Sequence, residues 1–600
     1  MSRARAIRRP LDPPGSSGPA AQLSLTRAAP TAFAALVAAA TLLPAARLDA
    51  QIQADEAPAF RFVDRAAALG VDFVHGAGER GAFWLPEIFG AGAAVFDADG
   101  DGDLDMLAVD GGDHGRTTVG SGMETRPCRR GEHQLYLQDS GRFHRAERSG
   151  LGARGYGMGV AVGDVDGDGL DDVFISAFAD ATCGGDALYR NLGGGRFEDV
   201  TEQSGLASEP GSWGTSSLFL DVDGDGDLDL FTLRYLRYEP KLACSDQAGR
   251  RDYCGPGAFA PAADRLWRND GGGRFEDITE ASGLGAAASG LGVVAADFDS
   301  DGRLDLYVAN DGEANQLWLQ TEPGRFIERA VANGAAVNEL GKPEAGMGIA
   351  LGDADGDGLS DLFLTHLRAE THTLYRADSA LGFLDVTTSS RLGGPSFPLT
   401  GFGTAFGDFD LDGDLDLAVT HGGVTRGPRP ARRATGDLAR DYGQPTLFFE
   451  QRSGRFYPVA IEASADVGRA LARGDLDGDG DLDLVTGHTG GPLKVWISPD
   501  APARRWLQVD VRNRVGGVAE HAEVQVEHGG RRQVQLLARG QSYLTSHSPT
   551  LQFGFGEPAP EASSSARLDR VHIQWHGDPA AQLTLLDVPM NRRLQVVPTP

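Results

Sequence analysis

Seven copies of one nine-residue aspartate pattern run through the middle of this chain. They read DADGDGDLD (97–105), DVDGDGLDD (164–172), DVDGDGDLD (221–229), DFDSDGRLD (297–305), DADGDGLSD (353–361), DFDLDGDLD (408–416) and DLDGDGDLD (475–483). Each places Asp at positions 1, 3, 5 and 9 and Gly at position 6. Four carboxylates so close together repel strongly unless a cation sits among them. Ca²⁺ answers that need, because it takes six to eight hard oxygen ligands and a tight Gly-turned loop wraps them around one point. Mg²⁺ fits less well, since it dehydrates reluctantly and seldom uses an all-protein cage.

The pattern assigns a role to each position. Positions 1, 3 and 5 offer side-chain oxygens from one arc: Asp97, Asp99 and Asp101; Asp164, Asp166 and Asp168; Asp221, Asp223 and Asp225; Asp297, Asp299 and Asp301. The last three loops supply Asp353, Asp355 and Asp357; Asp408, Asp410 and Asp412; Asp475, Asp477 and Asp479. Position 7 gives its backbone carbonyl, which leaves its side chain free to vary: Asp103, Leu170, Asp227, Arg303, Leu359, Asp414 and Asp481. Position 9 closes the sphere, often two-toothed: Asp105, Asp172, Asp229, Asp305, Asp361, Asp416 and Asp483. Up to seven Ca²⁺ are expected. An EF-hand would need Glu at position 12 and flanking helices. Here position 12 is Ala108, Ile175, Thr232, Val308, Leu364, Val419 or Thr486, inside a strand pattern.

The formal charge of −30 argues against a nucleic-acid partner, which needs a basic face. Of the 85 acidic residues, 33 lie inside the seven loops, so the acidity reads as metal ligation rather than as a scattered acidic surface.

The loops start at intervals of 55 to 76 residues, and each unit has the same grammar. A Gly-rich small-residue strand (Gly157–Val162) precedes the loop, and an alternating apolar strand (Leu228–Leu233) follows it. A third strand carries an aromatic (Ala187–Asn191), and a Gly turn leads to a fourth (Gly195–Val200). Four strands per unit describe a propeller blade. The seventh unit ends near Ile497 without its fourth strand, while Ala59–Asp64 resembles that strand and precedes the first unit. The expected fold is therefore all-β: a seven-bladed propeller over 51–500 whose N-terminal strand closes the last blade. From 501 to 600 the loops cease and alternating strands continue, as in Arg505–Val511 and Val571–Trp575, which predicts a small β-sandwich-like domain.

Long insertions at about 110–132, 178–186, 235–264 and 421–445 fall between second and third strands and gather on one face. Tyr235, Tyr238, Tyr253 and Tyr442 within them either stack on a sugar, anchor a partner, or pack the insertions down. The four cysteines pair as Cys244 with Cys254 and Cys128 with Cys183, two disulfides suited to an exported chain. Five arginines before an apolar run (Thr31–Leu43) and a small-residue site at Leu48-Asp49-Ala50 read as an export signal over 1–50, with a membrane-anchored N-terminus as the alternative. The run is too short to span a bilayer comfortably, and no span is expected in the mature chain.

The Gly-x-Gly strand, the DxDxDGxxDL loop and the later Tyr-Arg-Asn…Gly-Arg-Phe pattern resemble FG-GAP/VCBS repeats, as in integrin α-subunit propellers. Asn513–Ala519, Arg539-Gly540-Gln541-Ser542-Tyr543, Phe553–Gly556 and Val571–Trp575 resemble an ASPIC/UnbV domain. With Leu85-Pro86-Glu87-Ile88 and Tyr253-Cys254-Gly255-Pro256, the whole is similar to the cartilage acidic protein family. Trp575-His576-Gly577-Asp578 departs from that family's usual Trp-Pro-Ser-Gly. The resemblance implies an extracellular, cell-surface or periplasmic Ca²⁺-stabilised interaction or adhesion module for a protein or glycan, and no established catalytic activity. The competing reading is a carbohydrate-active enzyme, a polysaccharide lyase or hydrolase on a propeller scaffold. Its best catalytic candidates are His366, His372 and His421, in variable loops of adjacent units, where the simpler reading is surface loop residues.

Overall fold

The computed structural model describes residues 60–598 apart from 80, 113–115, 120–121, 126–130, 180–183, 207, 209, 239–241, 428–436, 462–463, 500–503, 558–566 and 578–579. The export signal over 1–50 and the Cys128–Cys183 pairing lie outside the described residues.

The fold is an all-β propeller. Among the described residues, seven sheets, each antiparallel among its own blade strands, run outward from an inner strand rich in small residues. The inner strands are Ala93–Phe96, Tyr156–Gly163, Gly214–Leu220, Gly290–Ala296, Ile349–Gly352, Gly401–Gly407 and Gly468–Gly474. Each packs beside the next, and the seventh packs beside the first, so the ring closes. The seven sheets are called blades 1 to 7 in that order. Crowding at the axis explains the small residues there: a Cβ on Gly348 would run into the carbonyl of Phe402 in the neighbouring blade.

Blade 7 is completed from the other end of the chain. Val63 and Asp64 pair with Ile497 and Trp496 of its third strand, Lys494–Ile497. Phe60 and Phe62 just before them are buried and meet Phe409 edge-on, with ring centroids 5.5 and 5.4 Å apart. This velcro removes two exposed sheet edges at once.

The C-terminal region forms two further sheets around one apolar core of its own, which includes Leu507, Val524, Phe553, Val571 and Ile573. In one sheet, Trp506–Val511 lies between Leu551–Gly554 and a parallel partner, Arg592–Val596. In the other, the order is Arg531–Leu536, Glu523–His528, Arg567–Gln574, Gln582–Pro589. The link to the propeller is closer than that of a merely adjoining domain, because the segment 538–548 leaves this sandwich and enters the axis of the ring. Thr545–Ser546 adds a parallel strand to Ala93–Ala94 of blade 1. Ser542 N–H donates to Ile349 O of blade 5 at 2.6 Å, and Leu544 N–H donates to Ser216 Oγ of blade 3 at 3.0 Å. Tyr543 is fully buried and its hydroxyl donates to Phe89 O at 3.1 Å.

The described parts of the 235–264 and 421–445 insertions fold over the opposite end of the axis. Cys244 and Cys254 form a disulfide there. Tyr235, Tyr253 and Tyr442 are all buried in one cluster with Trp84, Phe89 and Trp213. Tyr442 Oη donates to Asp252 Oδ1 at 2.7 Å, Tyr235 Oη donates to Asp311 Oδ2 at 2.5 Å, and the half-buried Tyr238 accepts Leu85 N–H. Of the readings open for these tyrosines, packing is the one the structure shows. No helix among the described residues is long and apolar enough to cross a membrane.

Candidate functional site

Each aspartate loop joins the inner strand of a blade to its second strand, so all seven lie at one end of the propeller. The turn requires positive φ at position 6, which runs from +87° at Gly302 to +101° at Gly480. Position 4 also turns left-handed, at Gly in five loops and at Ser300 and Leu411 in the other two.

The hydrogen bonds repeat from loop to loop. The position-1 carboxylate accepts the position-6 N–H in every loop, as Asp97 Oδ2 does from Gly102 at 3.1 Å. The position-5 carboxylate accepts the position-7 N–H, as Asp225 does from Asp227 at 3.0 Å. Position 9 is the buried anchor. Its Oδ2 accepts the N–H of position 2, and its Oδ1 accepts an N–H from the third strand of the same blade. Those third-strand partners are Gln138, Asn191, Asn269, Gln320, Ala377, Gln451 and Ser498. The position-9 aspartate therefore ties loop, second strand and third strand together in all seven blades, a role the sequence pattern alone did not reveal.

The same arrangement brings carboxylate oxygens to one point. Oxygens of Asp97, Asp99 and Asp101 lie within 4.8 Å of one another, as do those of Asp221, Asp223 and Asp225, and of Asp353, Asp355 and Asp357. In the second and fourth loops the trio is positions 1, 3 and 9: Asp164, Asp166 and Asp172; Asp297, Asp299 and Asp305. Burial pushes the position-9 carboxyls up, to about 7 for Asp105, Asp229, Asp305 and Asp361 and about 8 for Asp172, with neighbouring aspartates adding to the rise. Asp416 and Asp483 are pushed well above the ordinary range for the same reasons. Several oxygens are buried with no partner: Asp166 Oδ1, Asp223 Oδ1 and both of Asp481. An all-oxygen donor set holding buried, unpartnered carboxylate oxygens fits a hard divalent cation.

Two loops depart from the pattern. In the fourth, Arg303 at position 7 folds back onto Asp301 and donates to Gln320 O at 2.9 Å. In the sixth, Arg504 of the C-terminal region reaches Asp410 Oδ1 at 2.9 Å and also bonds its carbonyl, while Arg531 Nη2 bonds Asp414 at 2.8 Å.

The C-terminal region covers this end of the ring and meets six of the seven loops directly. Arg593 reaches Gly102 O at 3.4 Å in the first loop, and Gly577 lies against Asp221 in the third. His576 lies close enough to Asp297 of the fourth for that charge to act on it, and Arg532 lies against Gly358 of the fifth. Gln508 Nε2 donates to Asp475 of the seventh at 2.7 Å. In the second loop, Arg539 bonds both oxygens of Asp171. Sequence reasoning missed Asp171, Arg504 and Arg539; the one available signal was Asp at position 8, where the other loops have Leu or Ser.

The three candidate histidines are not surface loop residues. His366, His372 and His421 are each 1% exposed. His366 N–H donates to His372 Nδ1 at 3.0 Å, and His372 Nε2 lies 3.1 Å from His421 Nε2 with the rings stacked. Burial holds His366 down at about 4, His421 at about 3 and His372 well below its ordinary value, which favours three neutral imidazoles, with one Nε2–H donating between His372 and His421. They close the end of the propeller opposite the aspartate loops.

Comparison with known proteins matches residues 97–175, 175–232, 246–308 and 297–364 to the FG-GAP-like repeat and 518–600 to the ASPIC and UnbV domain. Cartilage acidic protein 1 of Mus musculus is 26% identical over 528 residues, covering 84% of this chain and 73% of that protein. The Homo sapiens protein of the same name is 26% identical over 524 residues, covering 84% and 72%. Among solved structures, the BP39L lectin from Burkholderia pseudomallei superposes with a TM-score of 0.42 at 15% identity, over 68% of this chain and 96% of the lectin.

Proposed function

Because this chain joins FG-GAP-like repeats to an ASPIC and UnbV domain and is a homologue of cartilage acidic protein 1, we propose that it is an exported, Ca²⁺-binding interaction module. Asp at positions 1, 3, 5 and 9 would hold the ion, with the backbone carbonyl of position 7. The observation that carries this reading is the set of converging carboxylates with buried, unpartnered oxygens at Asp166 and Asp223, both position 3. The bound ions are structural: they relieve the mutual repulsion of the loops and steady the surface on which the C-terminal sandwich sits. A protein or glycan partner then meets the outside of the rigid assembly, since the sandwich covers the loops and the insertions cover the opposite end.

The test is a thermal melt of residues 51–600 in EDTA, in millimolar Ca²⁺ and in millimolar Mg²⁺, with bound Ca²⁺ counted on the same sample. A Ca²⁺-specific rise with several ions bound per chain supports the reading. No bound ion and no rise would sink it.

A further inference from the structure

Blades 5 and 6 meet at a pair of histidines. His421 ends the second strand of blade 6, Asp416–His421, and opens the 421–445 insertion. His372 directly precedes the third strand of blade 5, Thr373–Asp378. The His366 N–H donates to His372 Nδ1 at 3.0 Å, which places the single proton of the neutral His372 ring on Nε2. That Nε2 lies 3.1 Å from His421 Nε2, which accepts. A further proton on His372 Nδ1 would face the His366 N–H, and one on His421 Nε2 would face the His372 Nε2–H. Either way a donor is set against a donor, so the closed pair has no place for a positive charge.

The surroundings do not absorb that charge. Gly401 of the blade 6 inner strand backs onto His372 so closely that a Cβ there would lie 2.6 Å from Nε2, and the Phe363 ring meets the imidazole at 6.0 Å. The ionisable groups that act on His372 are His366 and His421 themselves. The carbonyls of Pro445 and Val419 lie on the other side of His421, yet its Nδ1 is buried without a hydrogen bond. Carboxylates stand only beside the first ring of the series: Glu344 is 4.0 Å from His366 Nδ1, and Glu370 and Asp385 also act on it. Beyond His421, Arg469 of blade 7 donates to Gly422 O at 3.0 Å and to Gly423 O at 3.4 Å, so a fixed cation already holds the start of the insertion.

We propose that the His372–His421 contact is an acid-released latch, which holds the 421–445 insertion on the end of the propeller near neutral pH and frees it on acidification. Release uncovers the cluster of Trp84, Phe89, Trp213 and Tyr235, over which Leu438, Ala439 and Tyr442 of the insertion pack. In the closed form burial holds both rings below the ordinary imidazole value near 6.5, which they regain on opening. Their contribution to closure is full above pH 6.5 and is lost as pH falls. At pH 5 the closed-to-open ratio should be about thirtyfold lower for each ring. The latch lies at the end opposite the aspartate loops and does not depend on their filling.

The experiment is amide hydrogen exchange by mass spectrometry on the full mature chain in millimolar Ca²⁺, at pH 7 and pH 5, each rate divided by the intrinsic rate at that pH. Peptides of 421–445 should lose protection by about thirtyfold or more at pH 5, while the sandwich strand Glu523–His528 keeps its own. The double variant His372→Gln, His421→Gln cannot take a proton at either ring and should stay protected at pH 5. Unchanged protection of the insertion in the parent overturns the latch. So does an equal loss in the double variant, or a loss at Glu523–His528 in the same step, which would mean that acid acts on the whole fold. Should the double variant fail to fold, the contrast between insertion and sandwich within the parent still decides.

Discussion

Arg539 donates to both carboxylate oxygens of Asp171, at 2.7 and 3.1 Å, across a sequence separation of 368 residues. Its Nε bonds Glu520 as well, and all three side chains are buried, at 2%, 8% and 5% exposure. Asp171 is position 8 of the second loop, and Arg539 opens the segment that enters the propeller axis. The pair fixes the sandwich on the ring at the point where that segment departs.

Asp171→Leu restores the residue most common at position 8, and a repeat-consensus argument would favour it. The structure predicts the opposite, because the change strips a buried guanidinium of its bidentate partner. Destabilisation of about 3–5 kcal/mol is expected. Arg539→Met combined with Asp171→Leu should recover part of that loss, so chemical denaturation of the two single variants and the double gives a coupling energy. Additive effects would show that the pair does not fix the interface.

The ring itself was legible in the sequence. Seven loops with one grammar, a last unit short of a strand and a matching orphan strand at the N-terminus leave few other closures. Local periodicity carries that information. The segment 538–548 was not legible, since Arg539-Gly540-Gln541-Ser542-Tyr543 has no alternation and its partners, Ile349, Ser216 and Phe89, are set by the finished ring. The histidines were misplaced for a related reason. A His after a strand reads as polar loop, and only tertiary packing brings His372 and His421 from adjacent blades to 3.1 Å.

Position 9 and position 5 look alike in sequence and should behave differently on mutation. Asp229 is fully buried and accepts the N–H groups of Val222 and Asn269 at 2.9 and 2.8 Å. Asp229→Ala leaves both donors unpaired and should cost about 1–3 kcal/mol for each, with or without Ca²⁺. Exposed Asp225 accepts only the adjacent Asp227 N–H. Asp225→Ala should leave the melt in EDTA nearly unchanged and lower the bound Ca²⁺ count by one. Equal effects of the two variants in EDTA would contradict the anchor role of position 9.

Arg504 gives the sixth loop a cation of its own. Asp410 is nearly buried beside it, and the guanidinium offsets part of the rise that burial imposes on that carboxyl. The sixth loop should therefore take Ca²⁺ last. Arg504→Met is expected to act with opposite signs: a lower melting midpoint in EDTA, where Asp410 loses its counter-charge, and tighter Ca²⁺ binding at one site by calorimetry. A variant that melts lower in EDTA and binds Ca²⁺ no better would show that the guanidinium and the ion do not compete.

The metal-free protein should lose stability as pH rises from 7 to 8. Carboxyls raised to about 7 at Asp105, Asp229, Asp305 and Asp361, and to about 8 at Asp172, hold protons in the folded state that the unfolded chain releases near pH 4. Where the native state binds more protons, stability falls with rising pH, so the contribution of these groups is full below pH 4 and gone above their folded values. The buried histidines act with the other sign. His75, His133 and His366, lowered to about 4, favour folding as pH rises, but only until the unfolded imidazoles finish titrating near pH 6.5. Between pH 7 and 8 the histidines are nearly silent and the aspartates dominate. In EDTA the melting midpoint should drop across that interval. In saturating Ca²⁺ the ion takes the place of the protons, so the drop should flatten and the Ca²⁺-induced rise should grow with pH. Calorimetry in buffers of different ionisation enthalpy should find protons released on Ca²⁺ binding at pH 7, and fewer at pH 8.5. A midpoint in EDTA that climbs from pH 7 to 8 would mean that the loop carboxylates are already ionised in the empty fold, held by the backbone N–H groups alone.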